Sequence, residues 1–505
     1  MAAQYVGRSH PTEASCDVAF RLLFLLRLLS GPAAFALSAA MPLGLSYEGR
    51  IALATFVCVI VWWMTQPMPW AVAAMLPFLV FPAAGVMNIA DTMRLYGQPI
   101  FFWILGTVLM GYAIEKHGLA YRFAIAFLAL RGVGGRMHRL TFIYMLSVGA
   151  ISMFVSDAAT VAMTIPIGMS VVRHTRTMSD ATPADTSNFS AFITLGTFYA
   201  SVAGGTATIM GVPHNAIAVA ILEQVTGRRL GFFEWMIIGI PVCLALLVAF
   251  YALLWVLVPP EMRTLPRGET YLQAERAGLG PMRANERRVL VVFAMMVALF
   301  TLPTLLDLAI GSNHPVTLWA ERALPVWVVP PAVLFLLFTI RSSDDGAPAH
   351  AGGALLSWRD AEQHGPWNTM FLVGGAVAMT DALTQFGFAD AVGRMVTHLG
   401  IGPTMLPYVA AAVAGIATNF ISGTALFASI FVPAAQQIGF NPASMAILLG
   451  HVGVGLIFPW AGATSATAFA AGKVGITRMI WIGLAATVIL ILLVATIHLM
   501  MAPLV

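Results

Sequence analysis

Apolar runs recur along the chain from residue 20 to its end, separated by short polar breaks. A bilayer-crossing helix needs about 20 apolar residues, and these runs supply that length repeatedly. The pattern predicts spans at 20–43, 50–66, 69–88, 99–117, 190–223, 232–258, 288–306, 324–340, 367–386, 441–472 and 478–500. Two further apolar stretches, 138–173 and 404–438, are each long enough for two short helices, with a small polar cluster at the middle. The first cluster is Ser156-Asp157-Ala158 and the second is Ser422-Gly423-Thr424. The expected fold is an all-α polytopic membrane protein of about eleven transmembrane helices plus two re-entrant hairpins.

Charge placement orients this arrangement. Arg131, Arg136 and Arg139 precede the first hairpin, and Arg173 and Arg176 follow it, so both ends prefer the cytoplasm. A segment that enters and leaves on one side must bury its non-helical tip in protein or beside a water-filled cavity. Residues 259–287 carry Arg263, Arg267, Arg276, Arg283 and Arg287 and read as a cytoplasmic loop; Arg228 and Arg229 alone fall outside. The expected order is a cytoplasmic tail (1–19), N-terminal scaffold helices (20–98) and a first repeat (99–258). The cytoplasmic loop, linking scaffold helices with a second loop (288–366) and a second repeat (367–505) follow. The N-terminus is expected in the cytoplasm and the C-terminus outside, in the plasma (inner) membrane.

Composition removes the soluble alternatives. Hydrophobic residues make up 59% and charged residues 10%, against roughly 25% charged in soluble domains. The net charge of +4 sits in the breaks between apolar runs rather than on a basic face, so a nucleic-acid partner is not expected and membrane lipid is. Cys16, Cys58 and Cys243 are far apart and form no metal-ligand spacing. No HExxH, GxSxG or P-loop pattern occurs, which argues against an enzyme or an ATP-driven pump and implies no cofactor.

The chain repeats itself. Gly106-Thr107-Val108-Leu109-Met110, then Gly118-Leu119-Ala120, resembles Gly374-Gly375-Ala376-Val377-Ala378, then Gly387-Phe388-Ala389. Val155-Ser156-Asp157 resembles Ile421-Ser422-Gly423, and proline-bearing helices follow both (Pro166, Pro433). Gly211-Val212-Pro213-His214-Asn215 pairs with Ala461-Gly462-Ala463-Thr464-Ser465, and Trp235 to Gly239 pairs with Met479 to Gly483. The first unit starts inward and the second outward, so the repeat is inverted. Gly and Pro are dense at 203–215 and 458–464, which predicts two broken helices. Freed carbonyls there can hold a cation, and the following half-helix can face an anion. A kink without a ligand is the alternative for either break.

This ordered set resembles the divalent-anion/sodium symporter family, whose members carry dicarboxylates, citrate or sulfate, over roughly residues 50 to 500. The resemblance implies sodium sites at Ser152, Ser156, Asp157 and the backbone of Gly211, and at Thr418, Gly423 and the backbone of Ala461. It implies an anionic substrate near Asp157, Ala158, Pro213, Asn215, Gly423, Thr424, Gly462 and Thr464. It also implies a homodimer and an elevator motion, with sodium as the coupling cation. Where the family has Asn at the hairpin tips, this chain has Asp157 and Gly423.

Asp157 can anchor a coupling ion, carry a proton, or cap its helix. His214 and His451 are candidates for a proton relay with Asp157, or structural histidines. Glu115 and Asp381 read as scaffold residues. A cation-coupled symporter of a di- or tricarboxylate is the leading expectation. A proton-coupled carrier of a monocarboxylate or inorganic oxyanion is the alternative, and an anion channel a further one.

Overall fold

A computed structural model describes residues 13–505 apart from 43–44, 131, 181, 265–266, 312, 326, 344–352, 388–398 and 421–422. Arg131, most of the 1–19 tail, Asp344, Asp345 and His350, Phe388-Ala389 and Ile421-Ser422 therefore lie outside the described residues. Among the described residues the elements are helices, and the sole extended pairing is one bridge between Arg341 and Ala354. Among the described residues, six helical segments are long and apolar enough to cross a bilayer: Arg21–Ala40, Tyr47–Thr65, Ile89–Lys116, Phe232–Leu257, Ala284–Asp307 and Ile476–Leu504.

Helix α1 (Glu13–Ala40) lies along α2 (Tyr47–Thr65). Gly31 permits the contact, because a Cβ there would meet the Trp62 indole. The run 69–88 is not one span. Pro69 and Pro77 start two short helices, α3 (Trp70–Ala73) and α4 (Leu76–Ala83), and Asn88 caps a third, α5 (Ile89–Tyr96). Proline supplies no backbone donor, so it favours helix starts over helix interiors.

Among the described residues the two halves run through the same order of elements, apart from one short helix of the first, Leu119–Leu128. The first has α6 (Pro99–Lys116), α7 (Leu119–Leu128), the helix pair α8 (Met137–Ser152) and α9 (Asp157–Met178), then α10 (Ser187–Thr206), α11 (Pro213–Thr226) and α12 (Phe232–Leu257). Between the halves lie α13 (Gly268–Gly278), α14 (Ala284–Ile310), α15 (Pro315–Ala323), α16 (Val329–Thr339) and α17 (Trp358–His364). The second half has α18 (Trp367–Gln385), the helix pair α19 (Leu406–Ala417) and α20 (Thr424–Ile438), then α21 (Pro442–His451), α22 (Ala463–Ala470) and α23 (Ile476–Met501). The stretches 190–223 and 441–472 are thus each two helices with an unwound segment between them, at 207–212 and 452–462.

The halves exchange their half-helices. After its break, α11 crosses to pack on α20 and α21 of the second half. In the same way α22 packs on α9 and α10 of the first half. Helices α12 and α23 lie side by side behind the breaks. The remaining helices form a surround in which α16 and α14 pack on α6, and α2, α3 and α5 pack on α18. Gly106 and Gly375 make these contacts close: added Cβ atoms would run into the backbones of Pro330 and Ala74. Lys116 pairs with Asp360 at 2.8 Å and Arg122 with Glu286 at 2.8 Å, tying the ends of α6 and α7 to the connecting region.

Candidate functional site

The first helix pair turns through Met153 to Ser156, and α9 begins at Asp157. Ser156 occupies the cap position without a side-chain bond, so Asp157 does not cap its helix. Its carboxylate turns back instead. Ser152 Oγ donates to Asp157 Oδ1 at 2.7 Å, Ser201 Oγ lies 3.1 Å from Ser152 Oγ, and Ser201 also donates to the Asp157 carbonyl at 3.1 Å. Asp157 is 4% exposed, yet its Oδ2 has no protein partner. A buried carboxylate oxygen without a donor is costly and calls for a cation or a proton.

The break in α10 is packed directly on this tip. A Cβ on Gly205 would sit 2.6 Å from Asp157 Oδ1 and 2.9 Å from Val212 Cγ1. Gly205 also accepts the close approach of Gly211, whose added Cβ would overlap the Gly205 backbone. Asn215, at the start of α11, donates to the carbonyls of Gly205 and Thr208, both at 2.8 Å, and so closes the break. Thr208 Oγ1 donates to the Met153 carbonyl at 2.5 Å, which pins the break to the tip. Trp235 Nε1 donates to the carbonyl of Thr206 at 2.9 Å from behind.

The second break is held in an equivalent way with different residues. Ser465, in the position of Asn215, accepts from Gly462 N at 3.0 Å and donates to the Gly462 carbonyl at 2.9 Å. Thr418 Oγ1 lies 3.3 Å from the carbonyl of Val452, and Asn419 accepts from Ile457 N at 2.7 Å. Gly455 lets the break approach the second tip, since a Cβ there would be 3.0 Å from the Thr418 carbonyl. The paired glycines of the repeat have matching jobs. Gly239 on α12 faces the carbonyls of Thr206 and Ala207, and Gly483 on α23 faces that of Leu456.

Between the two assemblies lies a cavity of about 430 Å³. It brings together Ser156, Asp157, Ala158, Pro213, Thr418, Ala461, Gly462 and Thr464 from the expected set, together with His214. Ser152, Gly211, Asn215, Gly423 and Thr424 stand behind its wall. Thr424 is 1% exposed with an unpartnered Oγ1 beside Gly453, which does line the cavity. His214 Nδ1 is also unpartnered. His451 faces away, to His498 Nε2 at 3.1 Å, and does not line the cavity.

Contributors from outside the repeat motifs include Pro69, Trp70 and Ala71 at the start of α3, and Asn368, Thr369 and Leu372 of α18. Among the described residues no lysine or arginine lines the cavity. The helix starts at Asp157, Pro213 and Ala463 line it, and α18 begins one residue before Asn368; a helix N-terminus carries the equivalent of roughly half a positive charge. The site can therefore hold an oxygen-coordinated cation at Asp157 and a small anion among backbone N–H and hydroxyl donors. Among the described residues no cluster of three metal-binding side chains is present.

Comparison with known proteins follows this geometry. A family profile described as "Sodium:sulfate symporter transmembrane region" matches residues 25–505. The sodium-dependent dicarboxylate transporter SdcS of Staphylococcus saprophyticus is 27% identical over 490 residues, covering 93% of this chain and 90% of its own. Its namesake from Staphylococcus aureus is 26% identical over 484 residues with the same coverage. The crystal structure of the YdaH transporter of Alcanivorax borkumensis has the same fold, with a TM-score of 0.52 at 16% identity, over 96% of this chain and 98% of that one.

Proposed function

Because the chain belongs to the sodium:sulfate symporter family, we propose that it moves a small carboxylate anion, of the dicarboxylate class, across the membrane together with sodium. It is an integral membrane transporter rather than an enzyme. The observation that carries the reading is the buried, partnerless Oδ2 of Asp157, a residue that lines the central cavity and whose Oδ1 lies against the Gly205 break. A sodium ion there is neutralised by the carboxylate and surrounded by the Ser152 and Ser201 hydroxyls and the break backbone. The names of the relatives support sodium and a dicarboxylate as the pair carried.

In this reading the two helix pairs are re-entrant hairpins of an inverted repeat. Cation binding orders the first tip and completes the anion site, which takes donors from Thr464, Asn368, Thr369 and the starts of α11 and α22. Thr418, Gly423 and the Ala461 backbone form the second cation position. The hairpins and broken helices move as an elevator against the surrounding helices, in a homodimer with a cytoplasmic N-terminus and an external C-terminus. Symport follows if the empty and fully loaded forms cross while the cation-only form does not.

The test is uptake of radiolabelled succinate into proteoliposomes under an imposed sodium gradient. Accumulation that collapses when potassium replaces sodium supports the proposal. Accumulation that follows a proton gradient and ignores sodium replaces it with the proton-coupled reading, in which Asp157 and His214 carry the proton and a monocarboxylate or inorganic oxyanion is the cargo.

A further inference from the structure

A buried chain of polar side chains lies behind the cavity and touches both breaks. Ser444 Oγ is 3.0 Å from His498 Nδ1, and His498 Nε2 is 3.1 Å from His451 Nδ1. All three residues are fully buried. An N···N hydrogen bond of this kind needs one protonated and one bare nitrogen, so it fixes the ring orientations and ties α23 to α21. The His451 ring meets the Trp235 indole edge-on, with centroids 5.3 Å apart. Trp235 in turn holds the Thr206 carbonyl at the end of α10, one residue from the Gly205 that cradles Asp157.

The other side of His451 leads to the second break. His451 is the last residue of α21, and the next carbonyl, that of Val452, receives Thr418 Oγ1. Gly453 then stands against Thr424 Oγ1 and 3.2 Å, by its added Cβ, from His214 Cβ. One imidazole thus adjoins the scaffolding of the Asp157 cradle and begins the segment that lines the anion side. The intervening contacts are packed and hydrogen-bonded, so both breaks abut one continuous buried network.

We infer that His451 and His498 are a positioning pair that couples cation occupancy at the Asp157 tip to anion affinity in the cavity. Neither residue touches cargo; the pair transmits the arrangement of one break to the other. This rests on the sodium-coupled reading above.

The test is linkage, measured as the ratio of succinate KM at low and at saturating sodium in proteoliposomes. Wild-type protein is expected to give a ratio in the range of about 5- to 150-fold. His498→Phe is expected to bring the ratio near 1 while the maximal rate at saturating sodium and succinate stays within about twofold. His498→Gln, which keeps a polar group opposite His451, restores the ratio. Ser444→Ala removes the contacts of Ser444 Oγ with His498 Nδ1 and with the His498 carbonyl but leaves the His451–His498 pair, and is expected to lower the ratio about threefold, which carries the test should His498→Phe fail to fold. A wild-type ratio well above 1 that is unchanged in Ser444→Ala and in folded His498→Phe overturns the inference alone. A wild type indifferent to sodium overturns the cation reading and this inference with it.

Discussion

The break after α10 and the break after α21 hold equivalent places in the two halves, yet they are closed by different chemistry. Around the first, Gly205, Gly211 and Gly239 all bring backbone into close contact, and a charged side chain closes the cradle. Around the second, Gly453, Gly455 and Gly483 make contacts as close, but the corresponding tip position is the uncharged Gly423, and Gly462 has open space where a Cβ would stand. A glycine with open space is not needed for packing; one whose Cβ would overlap a backbone or a carboxylate is. The two breaks therefore differ less in packing than in charge: Asp157 closes the first, while the matching tip position of the second is Gly423 and its cavity wall leaves room at Gly462.

The largest effect that would break this contrast is at Asp157. Asp157→Ala is expected to cost about 3 kcal/mol or more of cation binding, read as a loss of two decades in apparent sodium affinity for uptake. Next comes Gly205→Ala, whose Cβ would lie 2.6 Å from Asp157 Oδ1. Overpacking of this kind costs about 1–3 kcal/mol, expected as a lower melting temperature together with weakened sodium activation. Gly462→Ala sharpens the comparison, because its backbone is extended and nothing adjoins the new methyl group. Its stability is expected to change by less than about 0.5 kcal/mol, with any effect confined to succinate KM.

Much of this arrangement was legible in the chain. The paired breaks follow from the clustering of Gly and Pro, which cannot continue a helix without loss. The pairs Gly211/Ala461 and Gly239/Gly483 carried the repeat, and the structure gives Gly239 and Gly483 the same task behind their breaks. Asp157 stood out as a charge in an apolar stretch. Trp70, Asn368 and Thr369 did not stand out, because they belong to no motif and reach the cavity only through tertiary packing. His498 sits alone in the apolar C-terminal helix, and only its contact with His451 gives it meaning. The run 69–88 reads as one span because its apolarity is continuous, while Pro69 and Pro77 divide it into short helices.

Two further substitutions separate fold from cargo. Asn215→Ala strips the donor from two buried carbonyls, and a loss of about 1–3 kcal/mol is expected in the midpoint of thermal unfolding. Thr424→Val is expected to leave that midpoint within about 0.5 kcal/mol of wild type, since the buried hydroxyl it removes has no partner in the protein. A rise in succinate KM for this variant, with stability intact, would assign the hydroxyl to the cargo rather than to the fold.

The central claim is that Asp157 anchors the coupling cation. The most direct measurement is the melting temperature of purified protein across a sodium titration at constant total salt, with potassium as replacement and without added anion. A ligand that binds only the folded state raises its stability by mass action. The account expects a saturable rise for wild-type protein and none for Asp157→Ala. An equal rise in both proteins would contradict it and move the cation away from the first tip.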